Sequence, residues 1–391
     1  MARCKTASGT STMAARSSTL AAMKTCALVW VVLVATVFGC KKRDEPTPIA
    51  GGSAGSVAVT PRPRPSQQPQ AKLPPPSVAD DARKVELGHI LFFDQRLSGA
   101  NDRACYSCHR NEDGTGGHDP IAIGSGDKPL TRHSPVLWNV GYWNTAFYWD
   151  GRAKTLEDNA KGAWGGGNMG GAPAGAKPEE IEAALDRRAG ELGAVAGYKP
   201  LFAAAYPDVK EIKTAQITGA LAAYLRTLVC NDTAYDKYAA GDKAALSEAQ
   251  QKGLDVFQGK GKCATCHAPP FFSSAMGVEG GAYFNVGIGT ADVAEDKVDI
   301  GRMKVSNQAT DWAAFKPPSL RNVTRSPPYF HNGSVAKLED AVKLMSTGGI
   351  ANKNKSPLLE DAKLSDAERA DLIAFLGGLE CGGKLDEPKL P

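Results

Sequence analysis

The chain of 391 residues has no apolar run long enough to cross a membrane; its longest, Ala27 to Phe38, spans 12 residues, where a spanning helix needs roughly 20. It also lacks a real excess of charge. The formal net charge is +4, but Arg3, Lys5, Arg16 and Lys24 precede Cys40 and no acid does, so the remainder is balanced. That balance leaves nothing to attract nucleic acid or an acidic membrane surface. Strand signals are few and short, which excludes sandwiches and barrels. Histidine is scarce as well, six in all, and two of the six stand in the same local pattern.

That pattern is C-x-x-C-H, in Cys105-Tyr106-Ser107-Cys108-His109 and in Cys263-Ala264-Thr265-Cys266-His267. Two cysteines three apart can each form a thioether to one porphyrin, and the following histidine then supplies the proximal iron ligand. A redox cysteine pair, or half a zinc site beside an incidental histidine, is the bland alternative. Its recurrence argues against that alternative. Two covalent c-type haems are therefore expected.

The chain is long enough for two domains, and motifs about 160 positions apart imply one haem in each. Residues 1–39 read as a lipoprotein-type signal peptide: basic residues, the apolar run, then Val37-Phe38-Gly39-Cys40, which resembles a lipobox. Met23-Lys24 gives that signal a better-formed beginning than Met1. An uncleaved anchor is the other reading, and both put the folded part outside the cytoplasm, here the periplasm. Residues 40–76, rich in Pro, Gly and Ser, form a tether. Residues 77–240 are expected to form an N-terminal haem domain and 241–391 a C-terminal one.

The fold class is mainly α, two cytochrome c-like domains. Helix-like spacing begins at Ala82 and recurs over Pro178–Leu192, Thr214–Val229, Val335–Met345 and Ser365–Leu379, the last opening with the capping box Ser365-Asp366-Ala367-Glu368. Gly88-x-x-Leu91-Phe92 and Gly253-x-x-x-Phe257, each ahead of a C-x-x-C-H motif, form a weak internal repeat. Met276, Met303 and Met345 are candidates for the second axial position of the C-terminal haem, where methionine raises the reduction potential.

From about Ala82 to Leu379 the chain resembles the bacterial diheme cytochrome c peroxidases and their MauG-type relatives. The likeness rests on the two haem motifs, on Phe147-Tyr148-Trp149-Asp150-Gly151-Arg152-Ala153 between them, and on Leu320-Arg321-Asn322-Val323 with Pro328-Tyr329-Phe330-His331-x-Gly333 after them. It implies an N-terminal haem on His109 that meets hydrogen peroxide and a C-terminal haem on His267 that receives electrons. Met345 falls at the family's methionine ligand, where MauG-type members carry tyrosine. Trp149 matches the tryptophan lying between the haems. The implied donor is a small c-type cytochrome or a copper protein; the resemblance also allows a homodimer. Oxidation of a partner protein's aromatic residues and simple electron carriage are the rival functions.

Two departures follow from the same resemblance. Ser125 stands where many members have a distal histidine that blocks the N-terminal iron; His118 is near enough in sequence to replace it. Asn168, in Gly167-Asn168-Met169, stands where the family commonly has the glutamate that moves peroxide's proton, and an amide cannot do so at neutral pH. Glu179, Glu180 or His118 are the candidates to compensate. The family's calcium would use the carbonyls of Ser326 and Pro328, but His133 replaces its asparagine, and imidazole is a poor calcium ligand. Cys230 and Cys381, unassigned otherwise, are expected either to pair or to remain free buried thiols.

Overall fold

The computed structural model describes Leu73 and residues 78–391. The expected signal peptide, the lipobox cysteine and nearly all of the tether lie outside the described residues. The rest is mainly helical. Ten α-helices are described: α1 Ala82–Phe93, α2 Leu156–Gly165, α3 Pro178–Gly193, α4 Tyr198–Ala205, α5 Thr214–Arg226, α6 Ala234–Ala239, α7 Glu248–Gln258, α8 Met303–Ser306, α9 Leu338–Ser346 and α10 Asp366–Gly377. Sheet is confined to one two-stranded antiparallel ladder, β1 Ile123–Gly124 with β2 Lys128–Pro129, and to isolated bridges.

Two hydrophobic clusters organise these helices. In the first, α1 crosses α5, burying Leu87, Leu91 and Phe92 against Ile217, Leu221 and Tyr224. In the second, α7 crosses α10, with Phe257, Phe272, Phe375 and Tyr235 packed ring against ring. Gly88 and Gly253 make the two crossings close. A Cβ on either would sit 1.9 Å from a carbonyl oxygen of the facing helix, that of Ala220 or of Asp371. Any larger residue would push these helices apart.

Local chemistry explains most helix ends. Ser365 caps α10, accepting from the Glu368 amide while the Glu368 carboxylate accepts from the Ser365 amide. Helix α5 stops at Arg226, short of the expected Val229, because the carbonyl of Leu228 turns away to accept from the amide of Asn139. Helix α9 starts at Leu338, later than the expected Val335, since Val335 is held in a bridge with Tyr329.

Cys230 and Cys381 form a buried disulfide. The segment after it returns to the first cluster: Asn111 pairs with the Leu385 backbone in both directions, at 2.8 and 2.7 Å, and Leu385 is buried there. Sequence grouping put residues 381–391 with the C-terminal domain and α6 with the N-terminal one. In the structure the disulfide and Asn111 hold 381–391 on the first cluster, while Tyr235 of α6 fills the second. The bond closes a loop of 151 residues, so Cys230→Ser is expected to cost about 2–5 kcal/mol, read from guanidinium unfolding under non-reducing conditions. An unchanged midpoint would show that the bond adds nothing to folding.

Candidate active site

Each C-x-x-C-H motif forms one short 3₁₀ turn, Cys105–Ser107 or Cys263–Thr265, that delivers a histidine into a cavity. The four motif cysteines are unpaired, and burial pushes the Cys105 thiol up to about 12 and those of Cys263 and Cys266 to about 11. His109 is buried, and its Nδ1 lies 3.0 Å from the Thr115 carbonyl oxygen. A carbonyl only accepts, so Nδ1 carries the proton. Nε2 is left with its lone pair, the state a metal requires. His267 repeats this, with Nδ1 3.1 Å from the carbonyls of Phe272 and of Pro318. Burial lowers both imidazole pKa values, that of His109 to about 4, so neither ring is cationic near neutrality.

The two cavities hold about 1440 and 1460 Å³ of non-protein space, part of it open to solvent. A neutral histidine with a free Nε2 and largely apolar walls fit a haem in each; Cys263 and Cys266 line the second cavity, and Cys105 and Cys108 precede His109 in the turn that opens on the first.

The first cavity has His109 at one wall and Tyr148, Asn159 and Asn168 among its other lining residues. No aspartate or glutamate is among the described residues that line it. The second has His267 and, from α9, Met345. Met276 instead packs with Leu73 and Tyr142, and Met303 lies against Val298 and Trp312, so neither lines that cavity.

Trp149 lines both cavities. Its loop is pinched shut by a bridge between Phe147 and Ala153 and tied at the Trp149 carbonyl to the Lys316 amide, 2.9 Å away. The indole Nε1–H donates to the His133 carbonyl at 2.8 Å. His331 meets the indole edge-on at 6.5 Å and stacks on Phe315 at 3.7 Å; burial brings its pKa down to about 4, so it is neutral. Arg132 ties the region together through Asp150 at 2.7 Å and Asp299 at 2.6 Å.

Several expected residues are not brought to the first cavity. The His118 side chain is 69% exposed, 3.2 Å from Asp113, and does not line it. Its neighbours Gly116 and Gly117 pack on Ser326 and Ser134, which leaves residue 118 on the outside. Ser125 donates to Asp102 at 2.7 Å and does not line the cavity either. Glu180 caps α3 at the Lys177 amide, and Glu179 is exposed on that first turn. The expected compensation for Asn168 by His118, Glu179 or Glu180 therefore fails on position. Ser326, Pro328 and His133 do border the cavity, with His133 Nδ1 engaged by the Asp119 carbonyl at 2.9 Å.

Lys316 and Asn159 were missed from sequence. Lys316 is buried, donates to the Ala146 carbonyl at 2.6 Å, lies 3.2 Å from the Trp143 ring centroid and lines both cavities. Burial holds its pKa well below the usual lysine range. Lysine is so commonly a surface residue that only a lysine inside an otherwise apolar stretch, Ala313-Ala314-Phe315-Lys316-Pro317-Pro318, hinted at it.

Residues 82–244 match the family model described as di-haem cytochrome c peroxidase. The chain is 33% identical over 331 residues to the methylamine utilization protein MauG of Methylorubrum extorquens, covering 84% of this chain and 86% of that protein. The chain belongs to the di-haem cytochrome c peroxidase family. It is also 34% identical over 314 residues to the cytochrome c551 peroxidase of Pseudomonas aeruginosa, 78% of this chain and 81% of the relative. A solved MauG-like protein associated with microbial copper homeostasis superposes with a TM-score of 0.71 at 30% identity, over 82% of this chain and 96% of that one. Family membership and these relatives support a di-haem peroxidase-type oxidoreductase. No helix among the described residues is long and apolar enough to cross a membrane.

Proposed function

We propose that this protein reduces hydrogen peroxide to water with two electrons taken singly from a small periplasmic c-type cytochrome or copper protein. Electrons enter at the His267 and Met345 cavity and reach the His109 cavity by way of Trp149. The observation that carries this reading is Trp149 itself, one indole that lines both cavities. A haem covalently held in each cytochrome c-like half, by Cys105 and Cys108 or by Cys263 and Cys266, supplies iron that exchanges single electrons. A lipid anchor at Cys40 would keep the enzyme at a membrane.

The chain's own residues divide the remaining work. His109 and His267 keep their protons at Nδ1 for backbone carbonyls and leave Nε2 for iron. Met345 brings a thioether to the second cavity, which favours the reduced state there. Trp149 has a carbonyl and no base at its N–H, so it passes an electron without giving up a proton. The Asn159 and Asn168 carboxamides can orient peroxide by hydrogen bonds, while the two protons consumed come from solvent.

Among the described residues no carboxylate lines the first cavity, which favours a second reading, oxidation of aromatic residues on a partner protein. Met345 in the second cavity counts against it. Denaturing mass spectrometry should show two haem additions, and the diferric protein should contain a high-spin haem that reacts with peroxide without prior reduction. His118→Ala should leave that spectrum unchanged, because His118 points to solvent. A wholly low-spin protein inert to peroxide would be an electron carrier instead.

A further inference from the structure

Several oxidisable rings border the first cavity, and they differ in the charge above them. Tyr148 has the Arg152 guanidinium 3.5 Å from its ring centroid, whereas the Lys316 amine 3.2 Å from the Trp143 ring, its pKa lowered by burial, is no fixed charge. Among the described residues no cation lies over Trp149, whose ring meets only the His331 edge. Taking an electron from a ring leaves it positive, so a cation held over its face raises the cost of oxidation. Arginine keeps its charge at any working pH.

The charge over Tyr148 is shared with a carboxylate, Asp150 at 3.0 Å, and with solvent, since the Arg152 side chain is 46% exposed. Arg152 shares the Asp150 carboxylate with Arg132, while Asp299 also binds Arg132 and Arg302 donates to the Asp150 carbonyl. Two guanidiniums thus share the Asp150 carboxylate, and the third donates to backbone carbonyls. The phenol has a second restraint, since its O–H donates to the Asn159 backbone carbonyl at 2.7 Å. Oxidising Tyr148 means losing one electron to the oxidised centre in the cavity and one proton to that carbonyl, which is a very weak base. Burial likewise pushes the phenol up to about 12. Tyr148 has a φ of 64°, the left-handed region that aromatic residues rarely adopt, so its loop holds the ring in this place at some cost in strain.

We propose that Arg152 is a positioning residue that keeps the oxidising equivalent off Tyr148 and on Trp149. The proposal rests on the peroxidase reading above. Its chemistry balances within that reading: peroxide takes two electrons and two protons to give two waters, and an electron not delivered by the donor protein comes from a haem or, where a haem then refills itself, from a side chain. Arg152 decides which side chain.

The test uses the haem-loaded protein, one equivalent of hydrogen peroxide and no electron donor, with electron paramagnetic resonance for the radical and peptide mass spectrometry for the oxidised residue. Wild type should show oxidation at Trp149 and little at Tyr148. Arg152→Gln should raise Tyr148 oxidation by about tenfold and give a tyrosyl signal, lost again when Tyr148→Phe is added. Arg152→Lys should restore the wild-type pattern, which a merely structural role would not require. Equal labelling of Tyr148 and Trp149 in wild type overturns the proposal without any variant. So does an Arg152→Gln protein that reacts with peroxide normally and is oxidised at the wild-type positions. A wild-type protein with no spectral response to peroxide removes the peroxidase reading instead.

Discussion

Asn168→Glu is expected to accelerate the reaction with hydrogen peroxide by about hundredfold near pH 7, the lower end of what a positioned acid–base group supplies. Asn168 lines the first cavity beside Asn159, and no carboxylate among the described residues reaches it. In wild type the hydroperoxide anion must come from solution, so the rate should climb with pH as that anion becomes more abundant. A glutamate would take the proton from neutral peroxide on the spot and return it to the leaving oxygen. Its base form is present above its own pKa and lost below it, so the variant's rate should be flat around neutrality and fall on acidification. Stopped-flow mixing from pH 5 to 9 measures both slopes. Equal rates and equal slopes in the two proteins would mean that residue 168 does not face the bound peroxide.

Met345→His should lower the potential of the second haem by on the order of 0.2 V, within the roughly 0.8 V that axial ligands span. Imidazole stabilises ferric iron relative to a thioether, and Met345 is the one methionine among the described residues lining the His267 cavity. Turnover with a high-potential donor should fall in step, since the first electron then moves uphill. A haem held by His109 in the other cavity should keep its potential. A redox titration separates the two. If neither potential moves, Met345 is a wall residue and the ligand assignment is wrong.

The two turns that bring His109 and His267 each to a cavity were legible because their pattern is local, two thiols and an imidazole within five residues. The helices around Gly88 and Gly253 and the capping box at Ser365 were legible for similar reasons, one or two residues dictating each; the sequence left Cys230 and Cys381 open between pairing and free thiols, and the fold pairs them. The walls of the cavities were not. Lys316 and Trp149 meet across more than 160 residues, and nothing near either announces the other. His118 shows the opposite error. It lies nine positions after His109, yet the turn through Gly116 and Gly117 carries it to the surface. Nearness in sequence means nearness in space only within a helix turn or a hairpin. Ser125, where many members of the family have a distal histidine, spends its hydroxyl on Asp102.

The strap formed by residues 381–391 also sets an order of events during synthesis. Leu385 and its pairing with Asn111 complete the packing behind Tyr106, in the same turn that presents His109. Everything between Asn111 and Leu385 must therefore be made first. The half of the chain that emerges early has to wait, its core unfinished, until the half that emerges late comes back to close it. A folding route that completes domains in the order they leave the ribosome is closed to this protein, and the early half spends that interval with part of its apolar surface uncovered.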